Sequence, residues 1–114
     1  MYDYRCKVLK VIDGDTIDVL VDLGFKVFKK VRVRLHGINC PECRTRDLEE
    51  KKAGIAARER LKEIVKECDD ELLIKSLDIG KYGRAICILY RDKAKKHVSI
   101  NKQLVMEGHA VNID

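Results

Sequence analysis

The chain has 114 residues, the length of one compact domain, and its 46% hydrophobic and 38% charged residues exclude a disordered polypeptide. A net charge of +5, from 24 Lys and Arg against 19 Asp and Glu, permits a polyanionic partner without requiring one. No apolar run has the length of a membrane span or forms the core of a signal peptide, and five cysteines exclude a complete set of internal disulfides. We therefore expect one domain over residues 1–114, in a cytoplasmic protein with reduced thiols.

The first two predicted strands are joined by a tight turn. Residues 7–12 are rich in β-branched and apolar side chains, and the segment Asp13-Gly14-Asp15 that follows is a strong turn signal. Residues 16–23 then alternate with a period of two, which indicates a strand with one buried face. The apolar face carries Ile17, Val19, Val21 and Leu23, and the polar face carries Asp18 and Asp22.

A third strand is predicted after a connection over residues 24–30 that contains Phe25 and Phe28. Residues 31–36 alternate again, so that one face is apolar and the other is cationic or titratable. The apolar face carries Val31, Val33 and Leu35, and the polar face carries Arg32, Arg34 and His36. Gly37 then allows the chain to bend.

A long helix is predicted over residues 47–68. Asp47 with Glu50 three positions later resembles a capping box at its start. An apolar stripe at helical spacing predicts the buried face. Its members are Ala53, Ala57, Leu61, Ile64, Val65 and Cys68. Gly54 inside the helix costs about 1 kcal/mol relative to alanine.

The second half adds two strands and a short helix. Residues 71–77 and 85–90 have strand character, and a polar loop over residues 78–83 separates them. Residues 99–107 form a short helix with Ser99 as N-cap and Gly108 as its stop. The predicted fold is therefore α+β and mainly β: a five-stranded OB-fold-type barrel, with a long helix after the third strand and a short C-terminal helix.

Four segments of this chain resemble the four conserved blocks of the thermonuclease, or staphylococcal nuclease-like, family. They stand in the family's order and spacing, and together they are far more specific than any one of them. The segments are "VIDGDTIDV", "RLHGINCPE", "GKYGRAICILY" and "INKQLVMEGHA". The short form, with "CRTRDLEEKKAG" after the Pro-Glu pair, resembles the phage and prophage branch of that family.

The resemblance implies a calcium-dependent nuclease that cleaves DNA and RNA and leaves 3′-phosphates. Arg34 and Arg84 match the family's two catalytic arginines, and Glu42 matches its proposed general base. Lys81 and Tyr82 match residues that contact the terminal phosphate of a bound nucleotide. Arginine suits such a role because its planar, permanently charged donors bind phosphate oxygens in pairs. The implied partner is nucleic acid, with single strands favoured, and the protein is expected to be a monomer that binds no membrane.

The resemblance also implies one Ca²⁺ ion held by Asp15, Asn39 and the backbone carbonyl of Cys40. Asn39 stands where the family commonly has its second carboxylate ligand. An amide oxygen still suits a hard cation, but the missing charge is worth a few kcal/mol at an effective dielectric of about 20. We therefore expect weaker metal binding, or a site that substrate phosphate must complete. No residue here matches the family's nucleotide-stacking tyrosine, so weaker nucleotide affinity is expected as well.

Other interpretations of the same residues stay open. Cys40 and Cys43 form a C-x-x-C pair, but zinc needs about four ligands and the other cysteines are scattered, so we interpret the thiols as packing residues. The three histidines are interpreted as surface or packing residues. They are His36, His97 and His109. The alternative function is a non-catalytic OB-fold module that binds nucleic acid or a protein.

Overall fold

The computed structural model describes residues 2–79, 85–91 and 98–113. The strands are β1 (Tyr2–Asp13), β2 (Thr16–Asp22), β3 (Phe28–Leu35), β4 (Ile38–Asn39), β5 (Glu71–Ile79), β6 (Ala85–Tyr90) and β7 (Val111–Asn112). The helices are α1 (Leu48–Glu67) and α2 (Ile100–Met106). Neither helix is both long enough and apolar enough to cross a bilayer, in the part of the chain that the structure describes.

Five strands close into a barrel in the order β1-β2-β3-β6-β5. All neighbouring strands in it are antiparallel except β3 and β6, which run parallel. A separate two-stranded sheet joins β4 to β7 beside the barrel. The predicted fold class is confirmed: a mainly β, α+β chain with a five-stranded barrel, a long helix after the third strand and a short C-terminal helix.

The ends of the two helices agree with their sequence signals. The side chain of Asp47 accepts hydrogen bonds from the backbone N–H groups of Glu49 and Glu50, and the helix ends at Glu67 with Cys68 as C-cap. Ser99 caps α2 by accepting from the N–H of Lys102. These side chains satisfy N–H groups that have no partner inside the helix, which is why each helix begins where it does.

The buried face of α1 differs from the predicted stripe in its second turn. Ala53 is exposed, and the neighbouring Gly54 is buried instead. Ala57, Leu61, Ile64 and Val65 are buried in the barrel core as predicted, and Cys68, the C-cap, is partly buried against it. The prediction for Ala53 was wrong because the helix approaches a loop through its glycine, as described below.

The predicted alternation is confirmed along β3, but only in part along β2, where Asp18, on the face predicted to be polar, is buried as well. Ile17, Val19 and Val33 are fully buried in the core. Leu23 was predicted to share that face, but it lies beyond the end of β2 and is exposed. The third strand starts at Phe28, three residues earlier than expected, since the connection is a tight hairpin.

Asn101 is a buried polar residue that the sequence analysis did not single out. Its side-chain amide donates to the carbonyl oxygens of His36, at 2.9 Å, and Cys87, at 3.3 Å. Its carbonyl oxygen accepts from the N–H of Leu89 at 3.0 Å. The residue therefore fastens α2 to β6 and to the end of β3, where unpaired backbone groups would otherwise be buried.

Candidate active site

The two aspartates of the β1–β2 turn hold the loop that follows β4. Asp15 Oδ2 accepts from the N–H of Cys40 at 2.9 Å, and Asp13 Oδ1 accepts from the N–H of Cys43 at 3.4 Å. Asp15 is buried despite its charge. The first four residues of this loop are thus fixed to one turn of the barrel through Cys40 and Cys43, and Glu42 lies between these two anchors and is exposed.

Helix α1 packs closely against the same loop and turn because of two glycines, Gly54 in the helix and Gly14 in the turn. A Cβ on Gly54 would lie 2.4 Å from the carbonyl oxygen of Glu42 and 2.8 Å from the N–H nitrogen of Cys43. A Cβ on Gly14 would lie 2.7 Å from the Cβ of Ala57. A glycine that weakens the helix is therefore what allows the helix backbone to touch the loop that carries Glu42.

The guanidinium of Arg34 lies among four oxygen atoms at this end of the barrel. Its Nη1 is 2.9 Å from Asp15 Oδ2 and 3.5 Å from the Asp15 carbonyl oxygen. Its Nη2 is 3.2 Å from the Ile38 carbonyl oxygen and 3.4 Å from Asn39 Oδ1. Asp15 and Asn39, which were predicted as metal ligands, therefore lie close together, and both contact the guanidinium of Arg34.

The neighbouring Arg32 has a different partner and a different role. It pairs with Asp18 across the β2–β3 ladder, with Nε 2.9 Å from Oδ1 and Nη2 3.2 Å from Oδ2. These hydrogen bonds hold the pKa of Asp18 below its ordinary value. Arg32 therefore forms a structural ion pair, whereas Arg34, two residues further along β3, lies at the candidate site.

The donor atoms at this site suit a hard divalent cation. They are oxygens of a carboxylate, an amide and backbone carbonyls, the kinds of ligand that Ca²⁺ takes. Among residues 2–79, 85–91 and 98–113, no group of three or more His, Cys, Asp and Glu side chains could hold a metal. The predicted set has only one carboxylate, so its fit to a metal depends on the amide of Asn39 and on backbone oxygens.

Of the remaining predicted site residues, Glu42 lies within the described part of the chain and the second arginine does not. Within the described ranges, the Glu42 carboxylate makes no hydrogen bond or ion pair, so it is available to a ligand. The predicted residues Arg84, Lys81 and Tyr82 lie outside the described residues. The strand β6 that follows them begins at Ala85, which pairs with Val33 beside Arg34.

The thiols of Cys40 and Cys43 face the interior. Burial raises the pKa of Cys40 to about 12 and that of Cys43 to about 11. Cys40 belongs to the hydrophobic core, as Cys6 and Cys87 do. None of the five cysteines forms a disulfide. A protonated, buried thiol is a poor nucleophile and a poor metal ligand. The backbone N–H groups of both cysteines donate to the aspartates of the β1–β2 turn.

The sequence analysis treated two residues of this site as local features only. Asp13 was interpreted as a turn residue, and Gly54 as a cost to the helix. The two carboxylates of Asp13-Gly14-Asp15 are the sequence signal from which their role in holding the loop could have been inferred. The loop lies more than twenty residues away in the chain, so the sequence alone did not indicate which segment they bind. His36 is exposed and His109 is half-buried, while His97 lies outside the described residues.

Comparison with known proteins gives one family and two relatives. Residues 32–114 match the family model described as "Staphylococcal nuclease homologue". The chain is 31% identical over 113 residues to "Micrococcal nuclease" of Shigella flexneri, covering 95% of this chain and 58% of that protein. It is 38% identical over 113 residues to "Protein ParB" of Escherichia coli, covering 95% and 56% respectively. The chain thus spans little more than half the length of these curated relatives.

Proposed function

Because the chain belongs to the staphylococcal nuclease homologue family, we propose that it is a metal-dependent nuclease that hydrolyses phosphodiester bonds of DNA or RNA. The membership itself confirms the resemblance drawn from the four sequence blocks. The proposed products are 3′-phosphates, the proposed metal is one Ca²⁺ ion, and single strands are the favoured substrate. That the domain is single, monomeric and cytoplasmic stays a prediction.

The observation that supports this proposal most is the convergence around Arg34. A carboxylate, an amide and two carbonyl oxygens lie within 3.5 Å of its guanidinium, at the barrel end where the Glu42 loop is anchored. Phosphodiester hydrolysis needs a cation site, a base for water and positive charge for the phosphoryl oxygens. Asp15 and Asn39 are the candidates for the cation site. Glu42 is the candidate base, and Arg34 supplies the positive charge.

In the proposed reaction, Glu42 accepts a proton from the attacking water as its oxygen bonds to phosphorus. The bond between phosphorus and the 5′-oxygen breaks, the 5′-oxygen takes up a proton from solvent and leaves as a hydroxyl group, and the phosphate stays on the 3′-oxygen. Glu42 then releases its proton to solvent. Arg34 and Arg84 bind the phosphoryl oxygens, on which negative charge builds.

Asp15, Asn39 and the Cys40 carbonyl would hold the metal, which when bound supplies Lewis-acid polarisation of the phosphoryl group. Lys81 and Tyr82 would position the terminal phosphate of the bound strand.

A non-catalytic nucleic-acid-binding module is the second candidate. One observation favours it: Asn39 leaves a single carboxylate in the cation site, and the Arg34 guanidinium already neutralises that carboxylate. The exposed Glu42 argues against it, since a module that only binds a polyanion has no use for an acidic side chain on the loop that Asp15, the partner of Arg34, anchors.

A cleavage assay separates the two candidates. Single-stranded DNA and RNA are incubated with Ca²⁺, Mg²⁺, Mn²⁺ or EDTA, and the fragments are resolved on a gel. We expect cleavage that disappears in EDTA and in Glu42→Gln, and that persists in Glu49→Gln, an exposed carboxylate of the first turn of α1. Intact but retarded strands in every metal would replace the nuclease by the binding module.

A further inference from the structure

The β2–β3 hairpin ends in an exposed apolar tip, which we define as residues 23–30. Phe25 is 102% exposed and Phe28 is 55% exposed, and the aliphatic residues Leu23 and Val27 are exposed beside them. Aromatic side chains have large surfaces that are costly to leave in water. Two exposed phenylalanines on one short hairpin therefore indicate a contact surface.

The backbone of the tip holds Phe25 in a conformation that phenylalanine disfavours. Leu23 N–H donates to the Val27 carbonyl and Val27 N–H to the Gly24 carbonyl, both at 2.9 Å, which closes the turn. Phe25 has φ of 54° and Lys26 has φ of 60°, in the left-handed region. Glycine or asparagine would adopt this region at lower cost, so folding alone does not account for a phenylalanine at this position.

The aromatic side chains of the tip are interleaved with lysines. Lys26, Lys29 and Lys30 are exposed, and none of the three forms an ion pair within the described part of the chain. Asp22 is the acidic residue at the base of the tip, and one oxygen of its carboxylate accepts from the N–H of Gly24. The tip therefore combines unpaired positive charge with aromatic faces, which are the two features of single-strand binding surfaces.

Strand β3 connects this tip to the candidate active site along one face. Alternate residues of a strand share a face, so Phe28, Lys30, Arg32 and Arg34 lie in one row. Six residues at about 3.3 Å each place Phe28 about 20 Å from Arg34. Barrels of this type bind about 4–16 nucleotides of single strand, so a strand held at Arg34 is long enough to reach the tip.

We propose that the hairpin tip is a second contact for the single-stranded substrate, in which Phe25 and Phe28 stack on unpaired bases while Lys26, Lys29 and Lys30 bind its phosphates. The inference rests on the proposed function, because it takes the same strand to be held at Arg34. Unpaired bases are required since stacking needs a free base face, which a duplex covers.

Binding is tested without cleavage, by fluorescence anisotropy of a labelled 12-nucleotide oligothymidylate in EDTA. We expect Phe25→Gly and Phe28→Ala each to weaken binding at least about fivefold, because stacking contributes about 1–3 kcal/mol per base. Met106→Ala, which truncates an exposed apolar residue of α2, is the matched control and leaves affinity unchanged. Phe25→Gly also relieves the positive φ, so its melting temperature is expected to rise; a variant that binds worse while being more stable has not lost its fold.

The lysines are tested by the salt dependence of the same binding. Replacing all three with glutamine is expected to make the slope of log affinity against log salt shallower by about 2, at about 0.7 per lost phosphate contact. The control replaces three exposed lysines of the helices, which changes the net charge equally and leaves the slope within error. These are Lys62, Lys66 and Lys102.

The outcomes distinguish this inference from the proposed function. With the inference correct, cleavage of a dinucleotide substrate is equal in wild type and Phe25→Gly, while cleavage of the 12-mer shows a raised KM. The inference is overturned if wild type, Phe25→Gly and Phe28→Ala bind the 12-mer with equal affinity. It is also overturned if the wild-type protein binds a duplex as tightly as the single strand. Phe25-dependent binding to phosphatidylserine vesicles without an effect on DNA would assign the tip to membranes. A wild type that cleaves neither length in any metal overturns the proposed nuclease instead.

Discussion

Nη1 of Arg34 lies 2.9 Å from Oδ2 of Asp15, and the same oxygen accepts the Cys40 N–H at 2.9 Å. One buried carboxylate oxygen therefore joins the end of β3 to the start of the Glu42 loop. The other oxygen of Asp15 accepts from the Thr16 hydroxyl at 3.1 Å. A cation that binds Asp15 must share it with these donors, so the position of Arg34 and the occupancy of the proposed cation site are expected to be coupled.

Asn39→Asp is expected to tighten Ca²⁺ binding by about ten- to a hundredfold, measured by calorimetry. The substitution adds a second carboxylate where Oδ1 already faces the Arg34 guanidinium at 3.4 Å. A unit charge about 4 Å from a cation is worth about 4 kcal/mol at an effective dielectric of 20, and competition from Arg34 reduces that gain.

The control for this measurement is Asn112→Asp, which adds the same charge on the neighbouring strand β7, opposite Ile38 rather than in the cation site. We expect it to change the calcium Kd less than threefold, about 0.7 kcal/mol. A Kd for Asn39→Asp that is unchanged or weaker would remove Asn39 from the ligand set.

Gly54→Ala is expected to destabilise the protein by about 1–3 kcal/mol, measured by urea unfolding, although alanine is the better helix former. The new Cβ would lie 2.4 Å from the carbonyl oxygen of Glu42, which is backbone and can move only with its loop. Nuclease activity should fall as well, because Glu42 is displaced. Lys52→Ala, at an exposed position of the same helix, should stay within about 0.5 kcal/mol of wild type. A Gly54→Ala protein as stable as wild type would show that the helix does not hold the loop.

The ion pair between α1 and α2 makes stability depend on pH. Arg60, 2.6 Å from Glu107 at the closest approach, lowers the pKa of that carboxyl from 4.5 to about 2, with a smaller contribution from Gln103. A carboxyl whose pKa is lowered in the folded state stabilises that state above its unfolded pKa, and the contribution is lost as the pH falls through the folded pKa.

We therefore expect Glu107→Gln to cost about 1 kcal/mol at pH 7, a value reduced by solvent screening of this partly exposed pair. The difference from wild type should shrink between pH 4.5 and about 2. Urea unfolding at pH 7, 4 and 3 measures it, with Glu59→Gln as a control for an exposed carboxylate of α1. A difference that is constant with pH would contradict the assignment.

Cys40 and Cys43 are expected to react slowly with a thiol reagent at pH 8, since burial raises the pKa of both far above that pH. Cys68 is less buried and should react first, so Cys68→Ser isolates the buried thiols. All thiols should react at once in guanidinium chloride. Rapid modification of the folded Cys68→Ser protein, or one equivalent of zinc in elemental analysis, would show instead that the C-x-x-C pair is functional.

Local patterns predicted the elements well because they depend on neighbours in the chain. The apolar positions of β2 up to Val21, the Asp-Gly turn and the Asp47 cap are each decided within a few residues, and the structure confirms them. Asp18 was predicted on the exposed face of β2 and is buried instead, because its partner Arg32 lies on another strand. Leu23 was wrongly assigned because it lies beyond the end of β2, and Ala53 because α1 contacts the Glu42 loop through the neighbouring Gly54.

The sequence by itself determined the five barrel strands, the two helices and the family, because these follow from periodicity, capping and ordered motifs, whereas the short strands β4 and β7 were not predicted. Only the tertiary structure decided which charged groups pair: Arg32 binds Asp18, whereas Arg34 binds Asp15 and Asn39. It also showed that Gly54 allows a close contact between α1 and a loop and does not merely weaken the helix. Such pairings depend on distances between segments far apart in the chain. Those distances are set by closure of the barrel and by how closely α1 can approach it.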